Sequence, residues 1–395
     1  MEVNLMKRLL ILLALLLAGC SAGDHMPTTP IATETQPVIT EPTVPETTAP
    51  TEAPTEAPTD PIEEMVNTMT VEEKVGQLFL ARYDAANAQH HVQQYHLSGW
   101  ILFSADFEHH TPDTIRAEID ALQVVSAVPL LMAVDEEGGT VTRVSRYSAF
   151  RDTKFPSPRK IYDRDGLLGL MEMEAEKCRL LTSLGLNVNV GPVCDITTDK
   201  NAFMYARSLG QTPDITGQLI AGMVDTMAQN QVGSVLKHFP GYGNNADTHV
   251  GIARDNRSLE ALEAADLVPF RYGIDAGCDA ILVSHTIVEA LDDTLPASLS
   301  PAVISYLRSE MGFDRVILTD DLVMQAITDT YGAGEAAVLA VLAGNDLLCA
   351  SEYVSQYEAV LAAVQDGRIP MERIDEAVYR VLRWKQKLGL LTFEG

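Results

Sequence analysis

The chain has 395 residues, 46% of them apolar and 21% charged, and its 55 acids against 28 bases give a formal charge of −27. That length allows one large domain or two to three ordinary ones, and the composition is globular. The acid surplus excludes nucleic acid as a partner, because binding to phosphate runs on a surplus of Lys and Arg. Five cysteines are too few for a disulfide scaffold in a chain of this length.

In chain order, Lys7 and Arg8 precede an unbroken apolar run from Leu9 to Ala18. A helix needs roughly 20 apolar residues to span a bilayer, so this run is too short and reads as the core of an export signal. It ends in Leu17-Ala18-Gly19-Cys20, which resembles a bacterial lipobox. Residues 1–19 are then expected to be a signal peptide, and cleavage leaves Cys20 as a lipid-bearing N-terminus. Stable anchoring takes more than one short acyl chain, so a multiply acylated Cys20 is expected to hold the protein at the outer face of the cytoplasmic membrane. That lipid is the only membrane contact expected.

Residues 20–61 read as a tether. Between positions 27 and 61 lie nine of the 20 prolines, eleven threonines, six acids and no Lys or Arg, and Thr51-Glu52-Ala53-Pro54 repeats as Thr55-Glu56-Ala57-Pro58. Such a segment has too little apolar surface to offset its ordering entropy. At ~3.1 Å per residue a proline-rich chain of this length reaches up to roughly 100 Å.

From residue 62 to 395 the pattern predicts one domain. Thr70 and Glu73 fit a capping box, opening a helix with Val75, Leu78 and Phe79 on one face. Seven apolar runs follow, at Trp100–Phe103, Leu130–Val134, Leu186–Val190, Ser234–Leu236, Ala280–Val283, Val316–Leu318 and Asp346–Cys349. They lack strict alternation, as parallel strands buried on both faces do. Helical stretches lie between them, among them Leu259–Ile274, expected to break at Pro269, and Gly334–Ala343. Repeated βα units over some 330 residues predict an α/β fold, a (β/α)8 barrel that is irregular in places, with an open doubly wound sheet as the alternative. No glycine-rich phosphate loop follows any strand, so nucleotide binding has no support.

Five of the runs end in ionisable or hydroxyl groups. Asp135-Glu136-Glu137 follows the second run, Asp195 ends the stretch after the third, Lys237-His238 follows the fourth, Ser284-His285 the fifth and Thr319-Asp320-Asp321 the sixth. In a barrel all these ends meet at one mouth, where active sites lie. Carboxylates that grip neutral hydroxyls, with one more placed to attack, describe a sugar site. A metal-dependent barrel would need converging histidines, and no HxH or HExxH pattern exists, so no metal and no cofactor is expected.

The segment Lys237-His238-Phe239-Pro240-Gly241-Tyr242-Gly243-Asn244-Asn245-Ala246-Asp247-Thr248-His249 resembles the signature of glycoside hydrolase family 3, in its single-domain β-N-acetylglucosaminidase branch. Asp135–Arg143, Arg207-Ser208-Leu209-Gly210, Pro296–Ser300 and Thr319–Leu322 resemble further motifs of that family in the same order. The resemblance implies a retaining mechanism on a terminal N-acetylglucosaminide from wall fragments or chitin-like chains. Asp320, directly after a Thr, is then the nucleophile, and Asp321 a cap on the next helix. His249 is the acid/base, since an imidazole with a pKa of ~6.5 gives and retakes a proton near neutrality, and Asp247 orients it. Glu136 or Glu137 is the next candidate for the acid. Asp135, Arg143, Arg207, Lys237 and His238 match the family's sugar-binding positions, and His285 is a supporting residue. A phosphorylase or β-glucosidase of the same fold, and a non-catalytic sugar-binding lipoprotein, are the alternatives.

The chain departs from the pattern in places. Tyr242 replaces a frequent His, Thr140 a frequent Arg and Glu136 a frequent Gln, and the loop between Gly243 and Asp247 is one residue short. The partner expected is a small carbohydrate, and the expected state is a monomer. Replacing Cys20 by Ser is expected to release the protein from membranes with activity intact; detergent partitioning of the variant, unchanged from wild type, would overturn the lipid anchor.

Overall fold

The computed structural model describes residues 60–197, 199–243 and 252–393. Cys20, Asp247 and His249 lie outside the described residues. Two short helices open the described chain. Asp60 caps Pro61–Thr68 by accepting the Ile62 N–H at 2.9 Å. Thr70 caps Val71–Gly76 in the expected box, in which Glu73 N–H reaches Thr70 Oγ1 at 3.2 Å and Thr70 N–H reaches Glu73 Oε2 at 2.8 Å.

Eight parallel strands follow: β1 (Phe79–Arg82), β2 (Gly99–Leu102), β3 (Leu131–Val134), β4 (Val188–Asn189), β5 (Gly233–Phe239), β6 (Ala280–Val283), β7 (Val316–Thr319) and β8 (Leu348–Ala350). From β1 to β7 each pairs with the next in sequence. β1 also pairs with β8, Phe79 opposite Leu348. A parallel bridge from Leu318 to Leu347 brings β7 to the start of β8, so the ring closes. A helix follows every strand, which makes this the (β/α)8 barrel that the sequence predicts. The irregularities are the two-residue β4 and a register shift between Leu236 and Phe239 on β5.

Strand alternation divides the core in two. Leu80, Ile101, Leu131, Ala133, Val188, Val235, Ala280, Leu282, Val316, Leu318 and Cys349 pack together inside the ring. Their neighbours Phe79, Ala81, Trp100, Leu102, Met132 and Val134 pack outward against the helices. Buried on both faces, the strands carry apolar residues on both, which is why they showed no strict alternation in sequence. Trp384, from the last helix Met371–Lys387, joins the inner cluster. It packs so closely on Gly233, at the start of β5, that a Cβ there would lie 2.9 Å from its ring.

Three local expectations are corrected. The helix opened by Thr70 stops at Gly76, and Phe79 belongs to β1. That first strand lies only two residues beyond the helix, and pairing with β2 and β8 overrides the helical spacing of its apolar residues. The stretch 259–274 breaks at Ala265–Asp266 rather than at Pro269, which sits in the first turn of the helix Leu267–Asp275, where a missing N–H costs nothing. Asp346 is no strand residue. It is fully buried just before β8, and its carboxylate takes hydrogen bonds from Arg373 at 2.8 Å, Arg380 at 3.2 Å, the Ile317 N–H at 2.9 Å and Arg308. Cys178, Cys194, Cys278 and Cys349 are free and buried.

Candidate active site

The C-terminal ends of the strands surround a cavity of about 860 Å³. Asp135, Glu137, Arg143, Arg207, Lys237, His238 and Asp320 all line it. The expected nucleophile Asp320 and the five expected sugar-binding residues therefore meet in one place. Beneath them Ile101, Val190, Leu282 and Cys349 fill the lumen, so the cavity is blind.

Lys237 organises the charged wall. It is 2% exposed, and its Nζ lies 2.6 Å from Asp135 Oδ1 and 2.7 Å from Glu137 Oε1. Glu137 also receives both prongs of Arg207, Nε at 2.9 Å and Nη2 at 2.7 Å. Arg207 Nη2 lies 3.1 Å from His238 Nε2, and His238 Nδ1 lies 2.8 Å from Asp195 Oδ2. Arg143 completes the wall 3.6 Å from Asp135 and lies over the Phe103 ring at 5.1 Å. Its buried Nε donates to nothing among the described residues. Three carboxylates against three permanent cations leave each buried charge compensated, the condition for keeping ions out of water.

These pairings keep the groups ionised. Burial opposes charge on Glu137, but Lys237 and Arg207 outweigh it and hold its pKa well below the carboxylate range. Asp135 is lowered the same way, burial being outweighed by Lys237 and then Arg143. Lys237 rises above its ordinary value, since Asp135 and Glu137 outweigh its burial. The wall therefore presents fixed acceptors and donors to a polyhydroxylated ligand rather than a titrating acid.

That excludes Glu136 and Glu137 as the reserve acids. Glu137 is clamped by its cations. Glu136 does not line the cavity. Its Oε2 accepts the Arg143 and Val144 N–H groups, each at 2.8 Å, and its Oε1 accepts from Ser145 Oγ, so it shapes the turn that presents Arg143. The real contributions of Glu137 and Asp195 were missed by the sequence reading. Both follow strands, yet only tertiary pairing separates Glu137 from the Glu beside it. Asp195 supports His238 from behind, and its Oδ1 also accepts the Tyr242 N–H at 2.7 Å. Tyr242 is buried, its ring edge-on to His238 at 5.2 Å between centroids.

Asp320 and Asp321 have different tasks. Asp320 lies on the cavity at the end of β7, and its Oδ1 accepts the Asp321 N–H at 2.9 Å. Asp321 does not cap the following helix Gln325–Thr328, whose cap position is Met324. Its Oδ1 accepts from the Val323 and Ser351 N–H groups, each at 3.2 Å, and its Oδ2 from Ser351 Oγ, tying the β7 end to β8. Burial pushes its pKa up against those hydrogen bonds.

A closed parallel barrel whose mouth sets a positioned carboxylate beside a wall of ionised donors and acceptors has the architecture of a barrel enzyme. Residues 70–384 match the glycosyl hydrolase family 3 N-terminal domain, and the chain belongs to that family. It is 31% identical over 329 residues to beta-hexosaminidase LpqI of Mycobacterium tuberculosis, covering 80% of this chain and 83% of that protein. It is 33% identical over 280 residues to a beta-hexosaminidase of Alkalilimnicola ehrlichii, covering 68% of this chain and 78% of the relative. Among solved structures, a glycoside hydrolase family 3 beta-N-acetylglucosaminidase from Paenibacillus sp. str. FPU-7 superposes with a TM-score of 0.77 at 33% identity, covering 83% of this chain. The match spans 64% of that longer chain.

Glu137→Gln tests the wall. It leaves Lys237 and Arg207 short of a buried counter-charge, which is expected to destabilise the fold by about 3–5 kcal/mol at neutral pH. Because the folded pKa of Glu137 is depressed, its contribution is full above the unfolded value of ~4.3 and is lost as pH falls through the folded value. Denaturant unfolding followed from pH 7 down to about pH 2 is expected to show the gap between wild type and variant shrinking progressively below about pH 4; a gap that stays constant over that range would refute the role of its charge.

Proposed function

We propose that the protein is a retaining, exo-acting β-N-acetylhexosaminidase that removes terminal β-linked N-acetylglucosamine from wall-derived or chitin-like oligosaccharides. The observation that carries this is Asp320 at the mouth of a blind cavity, opposite a wall of ionised groups suited to hydroxyls. The blind floor favours a chain end over an internal residue. The relatives' names support the sugar.

In the first step the Asp320 carboxylate attacks the anomeric carbon, the bond to the leaving oxygen breaks, and His249 gives that oxygen its proton. The product is a glycosyl ester on Asp320. In the second step water attacks the same carbon, His249 takes the water's proton, and Asp320 leaves as carboxylate. Asp135, Lys237, Arg207, His238 and Arg143 hold the sugar hydroxyls throughout. The roles of His249 and Asp247 rest on the sequence motif. The same reading includes a lipid on Cys20 and a tether from 20 to 61 that holds residues 62–395 away from the membrane; its support is the sequence alone.

The direct test is turnover of p-nitrophenyl N-acetyl-β-glucosaminide beside the matching glucoside, with and without phosphate. Release from the N-acetyl substrate independent of phosphate is expected. A fluorinated N-acetylglucosaminyl fluoride that stalls the intermediate is expected to label Asp320, and a label elsewhere overturns the nucleophile.

His249→Ala is expected to slow an unactivated disaccharide by roughly 10²–10⁴-fold, the usual worth of general-acid help. An aryl glycoside with an acidic phenol leaves without that help and should be spared in the first step. Azide needs no base in the second step and is expected to rescue turnover, yielding a β-glycosyl azide. Equal losses on both substrates with no azide rescue would move the acid role to another residue.

A further inference from the structure

Asp320 is held from both neighbouring strands. Its own N–H donates to Val283 O, on β6, at 3.0 Å. Its successor Asp321 is tied through its carboxylate to Ser351, after β8. The Asp321 carbonyl accepts the Met324 N–H at 3.0 Å and lies 2.9 Å from His285 Nε2. His285 follows β6, is fully buried, and does not line the cavity. A carbonyl oxygen can only accept, so Nε2 must carry a proton.

The ring is fixed from its other side. His285 Nδ1 lies 2.7 Å from Ser298 Oγ, a hydroxyl able to donate to it. Ser298 is itself immobilised: its N–H donates to Ser284 O at 3.0 Å, and its carbonyl accepts from Asn345 Nδ2 at 2.8 Å. Ser298 and Asn345 are fully buried. This chain of contacts runs from the loop after β6 to the residue beside the nucleophile. Its end point is the Asp321 N–H, aimed at Asp320 Oδ1 at 2.9 Å. Among the described residues nothing donates to Asp320 Oδ2.

We propose that His285 is a positioning residue for the nucleophile: together with the Met324 N–H it holds the Asp321 carbonyl and so fixes the backbone of Asp321, whose N–H then stays on Asp320 Oδ1 and leaves Oδ2 as the oxygen that attacks the anomeric carbon. This rests on the reading of Asp320 as nucleophile. Oδ1 is engaged before the sugar arrives and stays engaged through the ester, so the carboxylate cannot rotate away from the line of attack. A misplacement of about 1 Å at a reacting atom can cost on the order of 10²-fold in rate. The sugar-gripping wall is untouched by this chain of contacts, so the loss falls on kcat.

The test uses the full chain. His285→Leu removes the donor, and His285→Gln returns an amide N–H near the place of Nε2. The Leu variant is expected to lose about 10- to 100-fold in kcat with KM unchanged, and the Gln variant to regain most of that loss. Wild-type kcat in the Leu variant overturns the proposal, as does an equal loss in both variants with KM rising in step. Should the Leu variant not fold, Ser298→Ala leaves the imidazole but frees its orientation; lowered kcat at constant KM is expected, and wild-type kcat overturns the proposal. Covalent labelling of wild type keeps the two readings apart. A label on Asp320 with silent variants removes only the positioning role, whereas a label on another residue removes the nucleophile assignment itself.

Discussion

The ammonium of Lys237, 2.6 Å from Asp135 and 2.7 Å from Glu137, is the contact around which the mouth is organised. Lys237 is almost wholly buried, and a buried cation without counter-charges would lose its proton or unfold its surroundings. Two carboxylates solve that problem and create another, since they repel each other across the same site. Arg207 on Glu137 and Arg143 near Asp135 resolve the second problem. The result joins the end of β3 to β5 and to the loop around Arg207. A wall whose charges neutralise one another stays ionised through ordinary pH and offers a ligand hydrogen bonds without net charge, which matches a neutral sugar.

The neighbours Asp320 and Asp321 show how one fold gives identical side chains different work. Asp321 also lines the cavity, but it spends both carboxylate oxygens on Ser351 and Val323 and so joins strands. Asp320 gives one oxygen to the Asp321 N–H and keeps the other open among the described residues. The difference is set by what lies beside each of them on β6 and β8, not by anything in the two residues themselves.

The opposite end of the barrel obeys another rule. There Asp346 gathers Arg308, Arg373 and Arg380, and Trp384 packs over Gly233. These contacts tie the last helices to the strand starts. Removing one partner of such a buried cluster is expected to be far more destabilising than losing a surface ion pair. Chemistry gathers at one end and bracing at the other, as the common direction of the strands requires.

The order of apolar runs, five of them ending in polar residues, was enough to predict a parallel barrel and the end at which its site lies. Asp135, Arg143, Arg207, Lys237, His238 and Asp320 were named by the resemblance of the chain's motifs to those of the family, because such motifs are local properties of the chain. What sequence could not separate were near neighbours with the same chemistry: Glu136 from Glu137, and the surroundings of Asp320 from those of Asp321. Glu137 meets Lys237, about a hundred positions along the chain, on the same wall of the mouth, while Glu136 turns back to its own loop. β1 escaped notice because its apolar residues continue a helical spacing, and only β2 and β8 beside it make it a strand. The identity of each chemical group was written in the chain, but which groups share a buried space depends on ring closure, and burial is what turns a pair of opposite charges into a fixed part of a site.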